Sequence, residues 1–187
     1  MLTIEKTLFP EILLIHPKHS ADERGFFMEL YRTDSYGELG VRDIFVQDNQ
    51  SHSVAGVLRG LHFQWDEPLS KLIRVGNGRV FAVAVDIRRN SPTLGQWIGH
   101  ELSAENRVQM YVPFGFATGF AVLSAAADVL YKYSALYNPK GESSIRWNDP
   151  TIGITWPVSD PILSPRDAGA STLHEWLARP EAKYITL

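Results

Sequence analysis

The stretch Gly56-Val57-Leu58-Arg59-Gly60-Leu61-His62-Phe63-Gln64 sets a guanidinium, an imidazole and an amide within six residues of a segment otherwise built for a core. Polar side chains turned into an apolar interior need partners, so the pattern points to a ligand pocket. It equally fits a histidine satisfied within the core and an arginine at the surface. On a strand, positions 58, 60, 62 and 64 share one face and Arg59 lies on the other. Arg59 and His62 reach one pocket only if a bulge or twist at Gly60 re-aims the chain; otherwise Arg59 serves another ligand group or a neighbouring subunit. Two further stretches carry groups for proton transfer. Tyr131 and Tyr133 share a strand face. A buried tyrosine is ordinarily packing with one hydrogen bond, but at a pocket its phenol can be a general acid. Asp167 follows Leu163-Ser164-Pro165-Arg166. That is turn chemistry by itself, yet a carboxylate behind a histidine fixes its tautomer and raises its basicity.

The elements that must position these groups read as strands. Short alternating or apolar runs occur at 12–15, 25–31, 44–49, 56–63, 70–75, 80–87, 97–102, 107–112, 115–122 and 128–134, with Gly, Pro, Asn or Asp between them. Many short strands with a turn signal every 8–12 residues predict an all-β sandwich or barrel. Helical signal is weak: residues 33–39 can form a turn or two, and 171–177 is the better segment, with Ser171 as its cap. The C-terminal third holds Trp147, Pro150, Trp156, Pro157, Pro161 and Pro165. Such a segment is expected to wrap a sheet surface and can carry a late residue back to a site. With 187 residues, 44% of them hydrophobic, and no linker or repeat, one domain over 1–187 is expected. Eighteen Lys and Arg against 21 Asp and Glu give no basic excess for nucleic acid. The absence of cysteine excludes disulfides, thiolate catalysis and Cys-rich zinc sites. Neither a signal peptide nor a membrane-length apolar run is present, so a cytoplasmic protein is expected.

Pro113-Phe114-Gly115-Phe116-Ala117-Thr118 resembles the Pro-x-Gly-x-x-His turn of cupin jelly-rolls, whose histidine joins a His-x-His pair to bind metal. Here Thr118 stands at the histidine position and His62 is followed by Phe63-Gln64, so two of three imidazole ligands are missing. That leaves no adequate nitrogen set for a transition metal.

Six stretches in order resemble one family of that superfamily, the dTDP-4-dehydrorhamnose 3,5-epimerases. They are Asp22-Glu23-Arg24-Gly25-Phe26-Phe27-Met28-Glu29, Phe45-Val46-Gln47-Asp48-Asn49-Gln50-Ser51, the segment Val57 to Gln64, Val83-Ala84-Val85-Asp86-Ile87-Arg88, Leu130-Tyr131-Lys132 and Trp147-Asn148-Asp149-Pro150. The resemblance runs from about Phe9 to Asp167 and implies a cupin-type β-jelly-roll with a short C-terminal helical segment. It further implies epimerisation of a dTDP-4-keto-6-deoxyhexose, whose C3 and C5 protons are α to the C4 ketone. By this resemblance His62 is the base, Asp167 holds its other ring nitrogen, and Tyr131 returns a proton to the opposite face of the sugar. Lys71 would donate to the C4 oxygen as the enolate forms. Arg24 and Arg59 resemble diphosphate contacts. Phe27, Glu29, Gln47, Asn49 and Tyr137 resemble thymidine or sugar contacts, some reaching across a dimer. The resemblance implies a homodimer, no cofactor, no metal, and no nucleic-acid or membrane partner.

Two positions depart from the family pattern. Ala82-Val83-Ala84-Val85-Asp86 stands where Asp-Val-Ala-Val-Asp is usual, and Ala117-Thr118-Gly119-Phe120 where Ala-His-Gly-Phe is usual. A carboxylate and an imidazole able to pair have gone together, since losing one alone would strand a buried charge or donor. The expectation is epimerisation at C3, C5 or both. The alternatives are a 3,4-ketoisomerase and a non-catalytic sugar-nucleotide-binding cupin, with a metal-dependent oxygenase further off.

Overall fold

A computed structural model describes residues 2–187. Strands are numbered along the chain. One antiparallel sheet has the order β1 (Thr3–Glu5), β2 (Leu13–His16), β10 (Gln109–Val112), β7 (Lys71–Asn77), β12 (Ala126–Tyr133) and β5 (Gln47–Val54). The second has the order β13 (Glu142–Ser144), β6 (Leu58–Gln64), β11 (Phe116–Val122), β8 (Arg79–Asp86) and β9 (Trp97–Ser103). A hairpin of β3 (His19–Asp22) and β4 (Gly25–Met28) forms a small sheet of its own. The two large sheets make the sandwich that the alternating runs predict, in the cupin-type jelly-roll form that the resemblance implies. All ten expected strands are present. The expected strand at 44–49 begins only at Gln47 and runs on to Val54.

Alternation explains the layers. Ile73 and Val75 of β7, Val80, Ala82 and Ala84 of β8, and Phe116, Phe120 and Val122 of β11 turn inward into one core between the sheets. Leu72 of β7 turns the other way, onto a cluster with Ile15, Tyr36 and Tyr111. Tyr36 belongs to α1 (Thr33–Glu38) and donates its hydroxyl to the Leu30 carbonyl at 2.8 Å. Strand β8 is apolar on both faces because both are covered. Its outward residues Val83 and Val85 lie under Ile145, Ile152, Leu173, Trp176, Ala182 and Ile185.

The Pro-rich C-terminal third thus wraps the five-stranded sheet. Short contacts fasten it: Ile162 bridges Val57, and Arg146 N–H donates to the Ser171 carbonyl at 2.7 Å. Two short helices lie in the wrap, α2 (Pro165–Ala168) and α3 (Leu173–Leu177). The cap of α3 is Thr172, not Ser171. The Thr172 hydroxyl accepts from the Glu175 N–H, and the Glu175 carboxylate accepts from the Thr172 N–H. This reciprocal pair satisfies two orphan donors, and a cap at Ser171 could not have paired with Glu175 in that spacing. No helix among the described residues is long and apolar enough to cross a membrane.

Candidate active site

A cleft opens between the sheets, lined by Arg59 and His62 of β6, Lys71 of β7, Thr118 of β11, and Tyr131 and Tyr133 of β12. The parity problem at Arg59 has a physical solution. Thr118 pairs with His62, but Phe120 pairs with Arg59, so three steps on β6 oppose two on β11. The extra residue is a bulge, after which the inward face passes from odd to even positions. Val57 accordingly packs on the inter-sheet core, while Leu61 and Phe63 pack under the C-terminal wrap. Gly60 has φ +124°, and a Cβ there would stand 2.5 Å from Gly119 Cα and 2.8 Å from the Thr118 carbonyl oxygen. Only glycine fits, and the bulge is what lets Arg59 and His62 face one cavity.

His62 Nε2 lies 2.6 Å from Asp167 Oδ1. The carboxylate arrives from 105 residues away on α2. Ser164 caps that helix: its hydroxyl accepts from the Asp167 N–H at 3.1 Å and donates to Oδ2 at 2.9 Å. Asp167 is therefore held at both oxygens and is buried, whereas the His62 side chain is one-quarter exposed toward the cleft. Burial pushes the Asp167 carboxyl up, but the His62 and Ser164 hydrogen bonds and the Arg166 charge outweigh it and hold it below the ordinary aspartate range. An ionised Asp167 accepts the Nε2 proton and leaves Nδ1 with a free lone pair. Such an arrangement can act as an oriented general base.

Tyr131 stands on the same cleft with its hydroxyl 3.3 Å from Ser51 Oγ. Burial pushes its phenol up to about 12, so it stays protonated and holds a proton that a phenol at a pocket can give up as an acid. Tyr133, edge-on to it at 6.1 Å, is likewise pushed up by burial. Lys71 is buried and donates to Thr118 Oγ1 at 2.8 Å and to the His62 carbonyl at 3.1 Å. Burial brings its ammonium down to about 8. The His62 imidazole, the Tyr131 phenol and the Lys71 ammonium thus come from three strands onto one cavity, with Asp167 brought behind His62 by a helix. No group of three or more His, Asp or Glu side chains that could hold a metal ion occurs among the described residues.

Two sets of hydrogen bonds order the rim of the site. Arg59 Nε donates to Ser53 Oγ at 3.0 Å, which fixes its guanidinium beside β5. Gln47 Nε2 donates to Asn49 Oδ1 at 2.9 Å, and Gln47 Oε1 accepts from the Tyr137 N–H at 2.8 Å. The Tyr137 hydroxyl donates to Glu142, which also pairs with Arg166 at 2.5 Å. Burial raises the Glu142 carboxyl, and hydrogen bonds from Arg166 and Tyr137 return it below its usual value. Glu142, Arg166, Ser164 and Ser51 stand beside these groups and are not assigned to the site from sequence, while Tyr133, paired there with Tyr131 by parity, does line the cleft. For Ser164 a signal existed, since Ser164-Pro165-Arg166-Asp167 has capping spacing. Glu142 and Arg166 carry none: one begins β13 and the other lies in α2, and only the fold joins them.

Arg24, Phe27 and Glu29 are not brought to this cleft within one chain. Arg24 and Phe27 sit on the β3–β4 hairpin, exposed at 84% for the Arg24 side chain and 78% for Phe27. Arg24 pairs with Asp22 at 2.6 Å, and Glu29 faces Arg32 at 3.7 Å.

Comparison with known proteins gives this geometry a family. The dTDP-4-dehydrorhamnose 3,5-epimerase profile matches residues 6–175. The dTDP-4-dehydrorhamnose 3,5-epimerase of Salmonella typhimurium is 52% identical over 180 residues, covering 95% of this chain and 98% of that one. A dTDP-4-dehydrorhamnose 3-epimerase of Streptomyces niveus is 39% identical over 163 residues, covering 86% and 79%. The crystal structure of a dTDP-6-deoxy-D-glucose-3,5-epimerase from Legionella pneumophila, in complex with dTDP-4-keto-L-rhamnose, superposes with a TM-score of 0.94 at 48% identity, covering 100% of this chain and 98% of that one. With an imidazole–carboxylate pair, a phenol and a buried ammonium on one jelly-roll cleft and matches along nearly its whole length, the chain belongs to the dTDP-4-dehydrorhamnose 3,5-epimerase family.

Proposed function

We propose that the chain epimerises a dTDP-4-keto-6-deoxyhexose at C3, C5 or both, as a single jelly-roll domain without a redox cofactor. The observation that carries this reading is the His62–Asp167 pair facing Tyr131 on a cleft that also holds a buried, hydrogen-bonded Lys71. His62 Nδ1 takes a proton α to the C4 ketone, and the C–H electron pair moves into the C4 carbonyl as an enolate. The Lys71 ammonium stabilises the oxyanion. Tyr131 O–H then gives a proton to the opposite face, the enolate collapses to ketone, and the centre is inverted. Imidazolium and phenolate are left, and exchange with solvent resets both.

Arg59, Gln47, Asn49 and Tyr137 are proposed to hold the nucleotide and sugar at the rim, where a planar guanidinium suits the paired oxygens of a diphosphate. Arg24, Phe27 and Glu29 are proposed to complete the site of a second protomer, which accords with a hairpin that leaves Phe26 and Phe27 55% and 78% exposed. A homodimer and a cytoplasmic location belong to the same reading.

Incubation with a dTDP-4-keto-6-deoxyhexose in deuterated water, followed by NMR, should place deuterium at C3, at C5 or at both. Label at one carbon marks a mono-epimerase. No label at either sinks the proposal, and a carbonyl found at C3 in the product replaces it with ketoisomerisation. Tyr131→Phe keeps the ring but cannot return the proton, so it should retain deuterium exchange while inverted product falls about 100-fold or more. Exchange and inversion falling together would remove Tyr131 from the reprotonation step.

A further inference from the structure

Thr118 lies where a small polar side chain does more than fill space. It is buried, pairs across the sheet with His62 and Ala84, and sits one inward position from Phe120, which pairs with Ala82. Its hydroxyl donates to the His62 carbonyl at 3.3 Å and accepts from Lys71 Nζ at 2.8 Å, while Nζ also donates to that carbonyl at 3.1 Å. The three groups close a triangle. The carbonyl uses the one proton of Thr118, so its lone pairs are turned to Lys71. Lysine has three N–H donors, two of which are spent in the triangle, leaving one for a ligand in the cleft that Lys71 lines.

The electrostatics of this cation are unusual. No carboxylate lies within ion-pair distance of Lys71 among the described residues, and β8 offers only the methyls of Ala82 and Ala84. The charged groups that act on it from a distance are Glu142 and Arg166, which are paired with each other. The Tyr133 ring stands 5.8 Å away, and His62 contributes its carbonyl. A cation neutralised by a carboxylate gains less from an enolate, because that interaction is already present in the ground state. Lys71 is held only by neutral oxygens, so the developing oxyanion is the first anion it meets.

We propose that Thr118 is a positioning residue for the epimerisation: its hydroxyl, fixed by the His62 carbonyl, aims the Lys71 ammonium at the enolate oxygen and keeps it protonated. The inference rests on the epimerase reading of the site. Removing the acceptor takes a charge-assisted hydrogen bond from the ammonium and favours its neutral form.

The test compares wild type, Thr118→Val and Thr118→Ser. Thr118→Val should lower kcat about 10- to 100-fold with KM within about threefold, and move the basic limb of the kcat–pH profile down by about one pH unit. Thr118→Ser, which keeps the hydroxyl, should restore both. Carbon-13 NMR of the lysine ε-carbons reads the Lys71 titration without substrate, and should move the same way. This measurement separates two failures: an inactive wild type whose Lys71 titration still responds to Thr118→Val defeats the epimerase reading alone. An unmoved limb and an unmoved titration in Thr118→Val, or no rescue by Thr118→Ser, overturns the proposal. If Thr118→Val does not fold, Thr118→Ala replaces it with the same expected shift.

Discussion

His62→Ala abolishes α-proton exchange, and Asp167→Asn lowers it by about 10³- to 10⁴-fold, the scale on which losing the orienting carboxylate of a catalytic histidine acts. The asparagine variant is the sharper experiment because it keeps the shape of the side chain. Ser164 donates to Oδ2 and the Asp167 N–H donates to Ser164, so the amide oxygen best matches the Ser164 side. That turns the NH₂ group toward His62 Nε2. Nε2 must then accept, the ring proton moves to Nδ1, and the nitrogen facing the sugar loses its lone pair. The imidazolium formed on proton abstraction also loses its counter-charge. The partners of Asp167 hold its carboxyl below the ordinary aspartate range, so the anionic acceptor that sets the tautomer is present throughout the neutral range. Single-turnover exchange in deuterated water checks the result. Asp167→Asn within tenfold of wild type, with an unchanged melting temperature, would show that the carboxylate does not orient the base.

The dyad also marks where sequence reasoning stops. Alternation makes the ten principal strands legible where one face packs on the inter-sheet core, as in β7, β11 and β12, or both are covered, as in β8; β4, in the exposed hairpin, is legible without such a face. It does not reveal β1, β3 or β13, each three or four residues long. Too few side chains are present there to establish a period. Parity separates Arg59 from His62, and only the Gly60 bulge brings them together; glycine is the visible trace of that bulge, since any side chain would meet the β11 backbone. The contact between His62 and Asp167 has no local signature. It depends on a C-terminal wrap packed on Val83, Val85 and Leu61, a tertiary event that neither spacing nor propensity specifies. Thr118 reads in sequence as the loss of a histidine and has in the structure a partner of its own, Lys71.

Lys71→Met should fail as an enzyme and be the more stable protein. Holding a buried ammonium at about 8, where 10.5 is ordinary, corresponds to about 3 kcal/mol against folding at neutral pH. The folded-state pKa is lowered, so the unfolded chain binds more protons between about 8 and 10.5. Stability attributable to this group therefore rises with pH across that window, and its cost is fully present below it. Methionine fills similar space without a charge. Thr118 can still donate to the His62 carbonyl, so no donor is stranded, and only lone pairs go unused. The net gain should be about 1–3 kcal/mol at pH 7, shrinking as the pH approaches 10.5. Denaturant titrations at fixed protein concentration, at neutral and alkaline pH, measure it. The same substitution removes the preorganised donor at the enolate oxygen and should cost about 10²- to 10³-fold in kcat. A variant less stable than wild type at pH 7 would mean that the Thr118 and His62 contacts outweigh the desolvation of Lys71. A stabilised, inactive variant is the result expected of a cation kept unpaired for the transition state, where stability is given up for activity.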